Sequence, residues 1–142
     1  VRFIGNRSRL DKPIIKSMDE LEFLTKENDI LHLTIALNYG GRDEIVRATK
    51  KISEKVKLGL IDIDDINIEM FSNNLDTFDL PDPDLVIRTS GEVRTSNFLP
   101  WQCAYSEYVF EKTNWPDFNN DIYEEILIEF KNRERRFGAI LK

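Results

Sequence analysis

Two arginines six residues apart, Arg88 and Arg94, enclose Thr89, Ser90, Gly91 and Glu92 and are followed by Thr95 and Ser96. Guanidinium groups are planar, permanently charged forks that grip non-bridging phosphate oxygens in pairs, and short hydroxyls add further donors. The set suits a diphosphate. It equally suits a surface loop whose arginines pair with its own acids, and composition alone leaves the two readings level. A second loop, Asn38-Tyr39-Gly40-Gly41-Arg42, joins paired glycines to an arginine just ahead of a helical stretch. Glycine lets backbone N–H groups approach an anion, and a helix N-terminus favours negative charge. A tight strand-to-helix turn packed on a neighbour accounts for the same residues, and Arg42 could equally pair with a carboxylate. Glu107 is the third candidate. It lies between apolar stretches, beside Ser106 and Tyr108, where an acid seldom goes without a partner. An arginine is one such partner. A divalent cation is the other, since Mg2+ takes one or two carboxylates together with phosphate oxygens.

The remaining reactive types point to structure. His32 is the only histidine, so neither a zinc site nor a Ser-His-Asp triad is available, and a mid-strand structural role is expected. Cys103 is the only cysteine and sits in the apolar run Phe98 to Tyr105, as a buried thiol would. It cannot form an intrachain disulfide. Asp62-Ile-Asp-Ile-Asp reads as a solvated acidic face, because the glycine and later glutamate of a calcium loop are absent. The basic run Arg133-Glu-Arg-Arg136-Phe-Gly138 fits the end of a helix with a glycine stop.

A chain of 142 residues fits one domain with a real core. Its net charge of −6 argues against nucleic-acid binding, which needs a basic face, while leaving room for a local basic pocket. No stretch approaches 18 consecutive apolar residues, so no membrane span is expected. A cytoplasmic protein is the expectation. The chain opens on Val1-Arg-Phe-Ile-Gly5, already strand-like, and a segment upstream of it is expected.

These side chains need elements to hold them. Val1 to Ile4 reads as a strand, followed by a helix opened by Asp11 and Pro13, with Ile14, Met18, Leu21 and Leu24 at helical spacing. Leu31, Leu33, Ile35 and Leu37 alternate as a strand that runs into the first glycine loop. A helix from about Asp43 to Leu58 carries acids first and lysines late, matching the helix dipole, and Gly59 stops it. A short helix over Asp65 to Asn73 is expected next. After Pro81-Asp-Pro83 come a buried strand, Asp84 to Ile87, and then the arginine loop. A short buried helix from Phe98 to Tyr105, a strand at Tyr108 to Phe110, a turn at Trp115 to Phe118 and a helix from Asp121 to Arg135 complete the pattern. That last helix turns Ile122, Ile126, Leu127 and Phe130 inward. Strands separated by helices imply crossovers and a largely parallel α/β sheet. Ligands of such sheets sit beyond the carboxyl ends of the strands, where both arginine-bearing loops fall.

Three blocks together resemble the cis-prenyltransferase family of undecaprenyl-diphosphate synthases. They are Asn38-Tyr-Gly-Gly-Arg42; the long run Asp84-Leu-Val-Ile-Arg88-Thr-Ser-Gly-Glu-Val-Arg94-Thr-Ser-Asn-Phe-Leu-Pro-Trp101-Gln-Cys-Ala-Tyr-Ser-Glu107; and Trp115-Pro-Asp-Phe118 with Arg133-Glu-Arg-Arg-Phe-Gly138. The resemblance covers essentially the whole chain and implies a Rossmann-like α/β fold with a mostly parallel sheet, of which residues 1–142 are the C-terminal portion of a single domain. It implies an enzyme, usually a homodimer, that extends an allylic prenyl diphosphate with isopentenyl diphosphate units. Each addition makes a cis double bond and requires Mg2+. Carried over by position, Arg88, Arg94 and Ser96 would bind the diphosphate of isopentenyl diphosphate, and Thr95 would add a backbone contact. Glu107 would help hold Mg2+ across the dimer interface. Arg136 and Gly138 would match the family's C-terminal Arg-x-Gly pattern, which reaches towards the active site. A leaving diphosphate gathers charge, so guanidinium groups and Mg2+ would stabilise the transition state. The lipid product implies peripheral membrane association.

Two departures stand out. Some relatives carry a histidine where this chain has Val93. The family's Asp-Gly-Asn-Gly-Arg-Trp-Ala block, source of the catalytic aspartate, does not occur in the chain, so the isolated segment is expected to be inactive. The alternative is a non-catalytic partner subunit of a heteromeric enzyme, although such partners usually also depart in the arginine loop.

Overall fold

The computed structural model describes residues 1–134, so the expectations for Arg136 and Gly138 lie outside the described residues. The chain divides into two compact units, Val1–Pro81 and Asp82–Lys142, which are described separately.

In the first unit, β1 (Arg2–Ile4) pairs in parallel with β2 (Thr34–Ala36), in the register Arg2 to Thr34, Phe3 to Ile35 and Ile4 to Ala36. Helix α1 (Lys12–Thr25) makes the crossover between them, with Asp11 at its N-cap and Pro13 in the first turn as expected. Helix α2 (Gly41–Lys57) follows the first glycine loop, and α3 (Ile68–Ser72) is a short helix beyond it. The core of the unit is Ile4, Met18, Ala48, Ile52 and Leu75, all buried. Helix α2 ends in a Schellman closure: Gly59, at φ +67°, donates to the carbonyl of Val56, and Leu60 donates to that of Lys55.

Strand β2 is shorter than the alternation from Leu31 to Leu37 suggested. His32 lies ahead of it and is exposed, rather than mid-strand. Ladder pairing sets the length of a strand: Leu33 and Leu37 each share one backbone bond with β1, through Arg2 and Ile4, and only the residues between them are paired in register. The apolar stripe of α1 is also only partly buried: Met18 is covered, while Leu21 and Leu24 stay exposed. The acidic stretch has a local task. Asp62 accepts the backbone N–H of Asp64 at 3.0 Å and donates its own N–H to Asp65 at 2.9 Å, a capping box around a single 3-10 turn at Ile63–Asp65.

In the second unit, β3 (Leu85–Arg88) pairs in parallel with β4 (Glu107–Phe110). Helix α4 (Asn120–Lys131) follows a 3-10 turn at Trp115–Asp117, and the side chain of Asn119 caps it by accepting the N–H of Ile122 at 3.1 Å. Cys103, Val109 and Ile126 are buried. Ile122 and Phe130 are half-buried and Leu127 is exposed, so the inward stripe of α4 is narrower than expected. Strand β3 is half-buried throughout rather than buried. The expected helix from Phe98 to Tyr105 is a succession of turns, with Leu99 at φ +45°. A leucine in the left-handed region is incompatible with a right-handed helix. Both ladders are parallel, in keeping with the α/β reading, and among the described residues they form two two-stranded sheets.

Candidate functional site

Parallel pairing of β3 and β4 decides which side chains meet. The register sets Val86 opposite Tyr108 and Arg88 opposite Phe110. Successive side chains of a strand alternate faces, so these four share one face of the ladder. Tyr108 and Phe110 stack there with ring centroids 5.9 Å apart. With Ile87, Arg94, Thr95 and Phe98 they line a pocket of about 210 Å³. The pocket is apolar along Val86, Phe98, Tyr108 and Phe110 and carries two guanidinium-bearing residues. That is the environment for a small molecule with an anionic head and a short hydrocarbon body. Burial, followed by the neighbouring Cys103, pushes the Tyr108 phenol above its ordinary value, so it is un-ionised at neutral pH.

The loop that brings Arg94 round begins as an irregular continuation of the ladder. Glu111 donates to the carbonyl of Arg88 at 2.7 Å, Gly91 to that of Glu111 at 2.9 Å, and Ser90 to that of Thr113 at 2.8 Å. Thr113 returns two bonds of 2.8 Å to the Glu111 carboxylate. Those bonds, backbone first, hold the Glu111 carboxyl below its ordinary value. Positive φ angles at Ser90, Gly91, Ser96, Asn97 and Leu99 turn the chain back on itself. Only glycine adopts this region without cost, so the loop's shape is imposed by its anchors.

Arg88, the last residue of β3, donates through Nη1 to the Oγ of Ser96 at 3.0 Å and to the carbonyl of Arg94. Arg94 is mostly exposed and forms an ion pair with Glu92. Arg88, Arg94, Thr95 and Ser96 therefore lie together, as the sequence suggests. Both readings of the loop are represented: Arg94 pairs with the loop's own acid, and Arg88 stands over an apolar pocket. Surface ion pairs contribute little, so the contact between Arg94 and Glu92 is easily exchanged.

Glu107 opens β4 at the opposite end of the strand from Phe110. Its carboxylate Oε2 accepts Nη1 of Arg133 at 3.0 Å. Arginine, one of the two partners open to this acid, is thus in contact with it. Among the described residues no three or more His, Cys, Asp and Glu side chains gather as a cation site. Glu107 fits Mg2+ only in the mode that combines one protein carboxylate with phosphate oxygens and water.

The first glycine loop packs as a turn. Asn38, at φ +51°, donates through Nδ2 to the carbonyl of Asn6 at 2.7 Å, and Asn6 donates its N–H to the carbonyl of Asn38 at 3.1 Å. Tyr39 donates to the buried carboxylate of Glu44 at 2.6 Å. Glu44 accepts the N–H of Asp76 at 2.8 Å through its other oxygen. Asp76 in turn takes a bidentate bond from Arg47, at 2.7 and 2.6 Å. The loops after β1 and β2 are thus tied to each other and to α2.

Sequence reasoning missed the walls of the pocket and the role of Arg133. The walls were readable in principle, because Val86 and Arg88 are two apart on one strand and Tyr108 and Phe110 two apart on the next. Choosing the face required the register. Cys103 is a free, buried thiol, as expected. No helix among the described residues is long and apolar enough to cross a membrane.

Comparison with known proteins accords with this geometry. The prenyltransferase family model for undecaprenyl diphosphate synthase matches residues 1–138. An isoprenyl transferase of Clostridium perfringens is 51% identical over 99% of this chain and 55% of its own length. A ditrans,polycis-undecaprenyl-diphosphate synthase of Legionella pneumophila, specific for (2E,6E)-farnesyl diphosphate, is 46% identical over 99% of this chain and 59% of its own length. The crystal structure of lavandulyl diphosphate synthase from Lavandula x intermedia, in complex with dimethylallyl diphosphate, superposes with a TM-score of 0.94 at 37% identity, covering 97% of this chain and 59% of that one. The chain spans somewhat over half the length of the curated relatives it matches. With the ladder register, the arginine loop and these similarities in agreement, the chain belongs to the prenyltransferase family of undecaprenyl diphosphate synthases.

Proposed function

We propose that this chain supplies the isopentenyl diphosphate half of a cis-prenyltransferase active site, in an enzyme that condenses isopentenyl diphosphate with an allylic prenyl diphosphate to lengthen a polyprenyl, undecaprenyl-type chain. The carrying observation is the pocket itself: Arg88 and Arg94 line the same 210 Å³ space as Val86, Phe98, Tyr108 and Phe110. A five-carbon diphosphate has a matching division, a polyanionic head for the guanidinium forks and a short hydrocarbon for the aromatic walls.

The added unit keeps its own diphosphate through the condensation; the allylic partner loses one. Arg88 and Arg94 therefore act by holding and orienting the incoming unit rather than by stabilising a leaving group. Ser96 fixes one nitrogen of Arg88 and leaves the rest of its fork for phosphate oxygens, and Thr95 offers its backbone beside them. Glu107 would give one carboxylate oxygen to Mg2+, which when bound would offset charge on diphosphate oxygens. In this reading the active form is a homodimer.

Calorimetry on the chain tests the proposal. Isopentenyl diphosphate should bind more tightly than inorganic pyrophosphate, because the pocket adds apolar contact to the charge. Arg88→Ala should abolish the binding of both. Equal affinity for the two ligands would remove the role of the aromatic pocket, and unaltered binding by the variant would remove that of the arginine.

A further inference from the structure

We infer that Arg133 is the internal counter-ion of Glu107 and competes with a divalent cation for its carboxylate. The inference rests on the cation role proposed above for Glu107 and adds a regulator to it. Arg133 lies just past the end of α4. Its Nη1 donates to Oε2 of Glu107 and to the carbonyl of Tyr108, both at 3.0 Å, and its Nη2 pairs with Glu129 one helical turn earlier. The fork therefore spans the end of α4 and the first two residues of β4. The carboxylates of Glu129 and Glu107 together raise the guanidinium's affinity for its proton, so its charge is permanent.

Glu107 and Arg133 are both part-exposed, with 31% and 28% of their side chains open to solvent, so a hydrated ion has access. Oε1 of Glu107 takes no hydrogen bond from the described residues; Oε2 takes the one from Arg133. A cation entering at Oε1 meets a carboxylate already partly neutralised, with a fixed positive charge a few ångströms away. Repulsion weakens its hold until the oxygens of a diphosphate presented across the dimer interface share the shell and restore the negative charge. Arg133 thereby makes cation binding depend on the substrate's head group. Glu129 gives the guanidinium a second carboxylate to rest on when Glu107 turns to the metal.

The test is Mn2+ binding to the chain, read from the spin resonance of the free ion, with and without inorganic pyrophosphate. Wild type, R133Q, R133K, E107Q and the double variant R133Q/E107Q are compared, with circular dichroism to confirm folding. Without pyrophosphate, R133Q should bind Mn2+ roughly three- to fivefold more tightly than wild type, the scale of a partly exposed charge pair. R133K, which keeps the charge, should match wild type, and the difference should shrink when pyrophosphate is present. A residue that merely fastens α4 to β4 has the opposite sign: its loss loosens the strand and leaves Mn2+ binding unchanged or weaker, which would overturn the inference. Tightening that persists in the double variant would overturn it too, because the effect would not pass through Glu107. If E107Q weakens binding while R133Q does not tighten it, Arg133 alone is misassigned. If E107Q has no effect, the cation role of Glu107 falls and the inference falls with it.

Discussion

Nη1 of Arg88 reaches eight residues along the chain to the hydroxyl of Ser96, at 3.0 Å, and so ties the end of β3 to the far side of the arginine loop. The bond aims a guanidinium that would otherwise sample several rotamers. Ser96→Ala removes one donor–acceptor pair and should raise the dissociation constant for isopentenyl diphosphate roughly threefold to tenfold, the equivalent of about 1 kcal/mol. Titration calorimetry reads this directly. Unchanged affinity would mean that Arg88 needs no aiming.

Among the described residues the Arg94 guanidinium pairs with the exposed carboxylate of Glu92. Its loss should cost the anion a charge-assisted contact and the fold almost nothing. Arg94→Ala should weaken isopentenyl diphosphate by roughly ten- to a hundredfold with an unchanged urea midpoint. In the complete enzyme the allylic substrate's KM should move far less. Equal weakening of both substrates would refute the role given to Arg94.

Gly5 follows β1 at φ +116°, and a Cβ there would lie 2.2 Å from the carbonyl oxygen of Leu37. Backbone cannot yield as a flexible side chain does. Gly5→Ala should therefore destabilise the first unit by about 2 kcal/mol or more, measured by urea unfolding. A loss under about 0.5 kcal/mol would show that the two loops part easily.

Asp76 sets an acid limit. Partial burial pushes its carboxyl up from the ordinary 3.8, but the Arg47 fork and the N–H of Gly5 more than offset this and hold it lower. The folded state therefore binds fewer protons than the unfolded state as pH falls through the unfolded pKa. The stabilisation is complete above about pH 5 and is lost progressively below about pH 4. Glu22 adds to the trend: burial raises its pKa, but Arg7 and the N–H of Phe3 bring it below its ordinary value. Asp76→Asn should lower the urea midpoint at pH 7 and flatten its fall between pH 5 and 3. A variant curve parallel to wild type would show that Asp76 does not carry the dependence.

How far the sequence could be read depended on where the governing interaction was local. Start and stop signals are local, so α1 after Asp11 and α2 stopping at Gly59 fell near their expected places, whereas α4 ends at Lys131 rather than at Arg135, leaving Arg133 and Glu134 outside the helix. Strand length is not local. The alternation from Leu31 to Leu37 marks a face, but only Thr34 to Ala36 are paired in register with β1. The run Phe98 to Tyr105 has the hydrophobicity of a buried helix, yet anchors on either side bend it into turns. The site was legible as a set of residue types: Arg88, Arg94, Thr95 and Ser96 do come together. Its apolar wall and the ion pair of Glu107 with Arg133, 26 residues apart, depend on a strand register and a helix end that no local pattern encodes.

Four non-glycine residues of the arginine loop, Ser90, Ser96, Asn97 and Leu99, stand in the left-handed region. Holding them there draws on the chain's folding stability and leaves the binding event free of that cost. Such a loop behaves as a rigid receptor. Glycine at Asn97 would relax the backbone and steady the fold, yet it would let the loop breathe. Rigidity of the loop and stability of the fold thus pull this stretch in opposite directions.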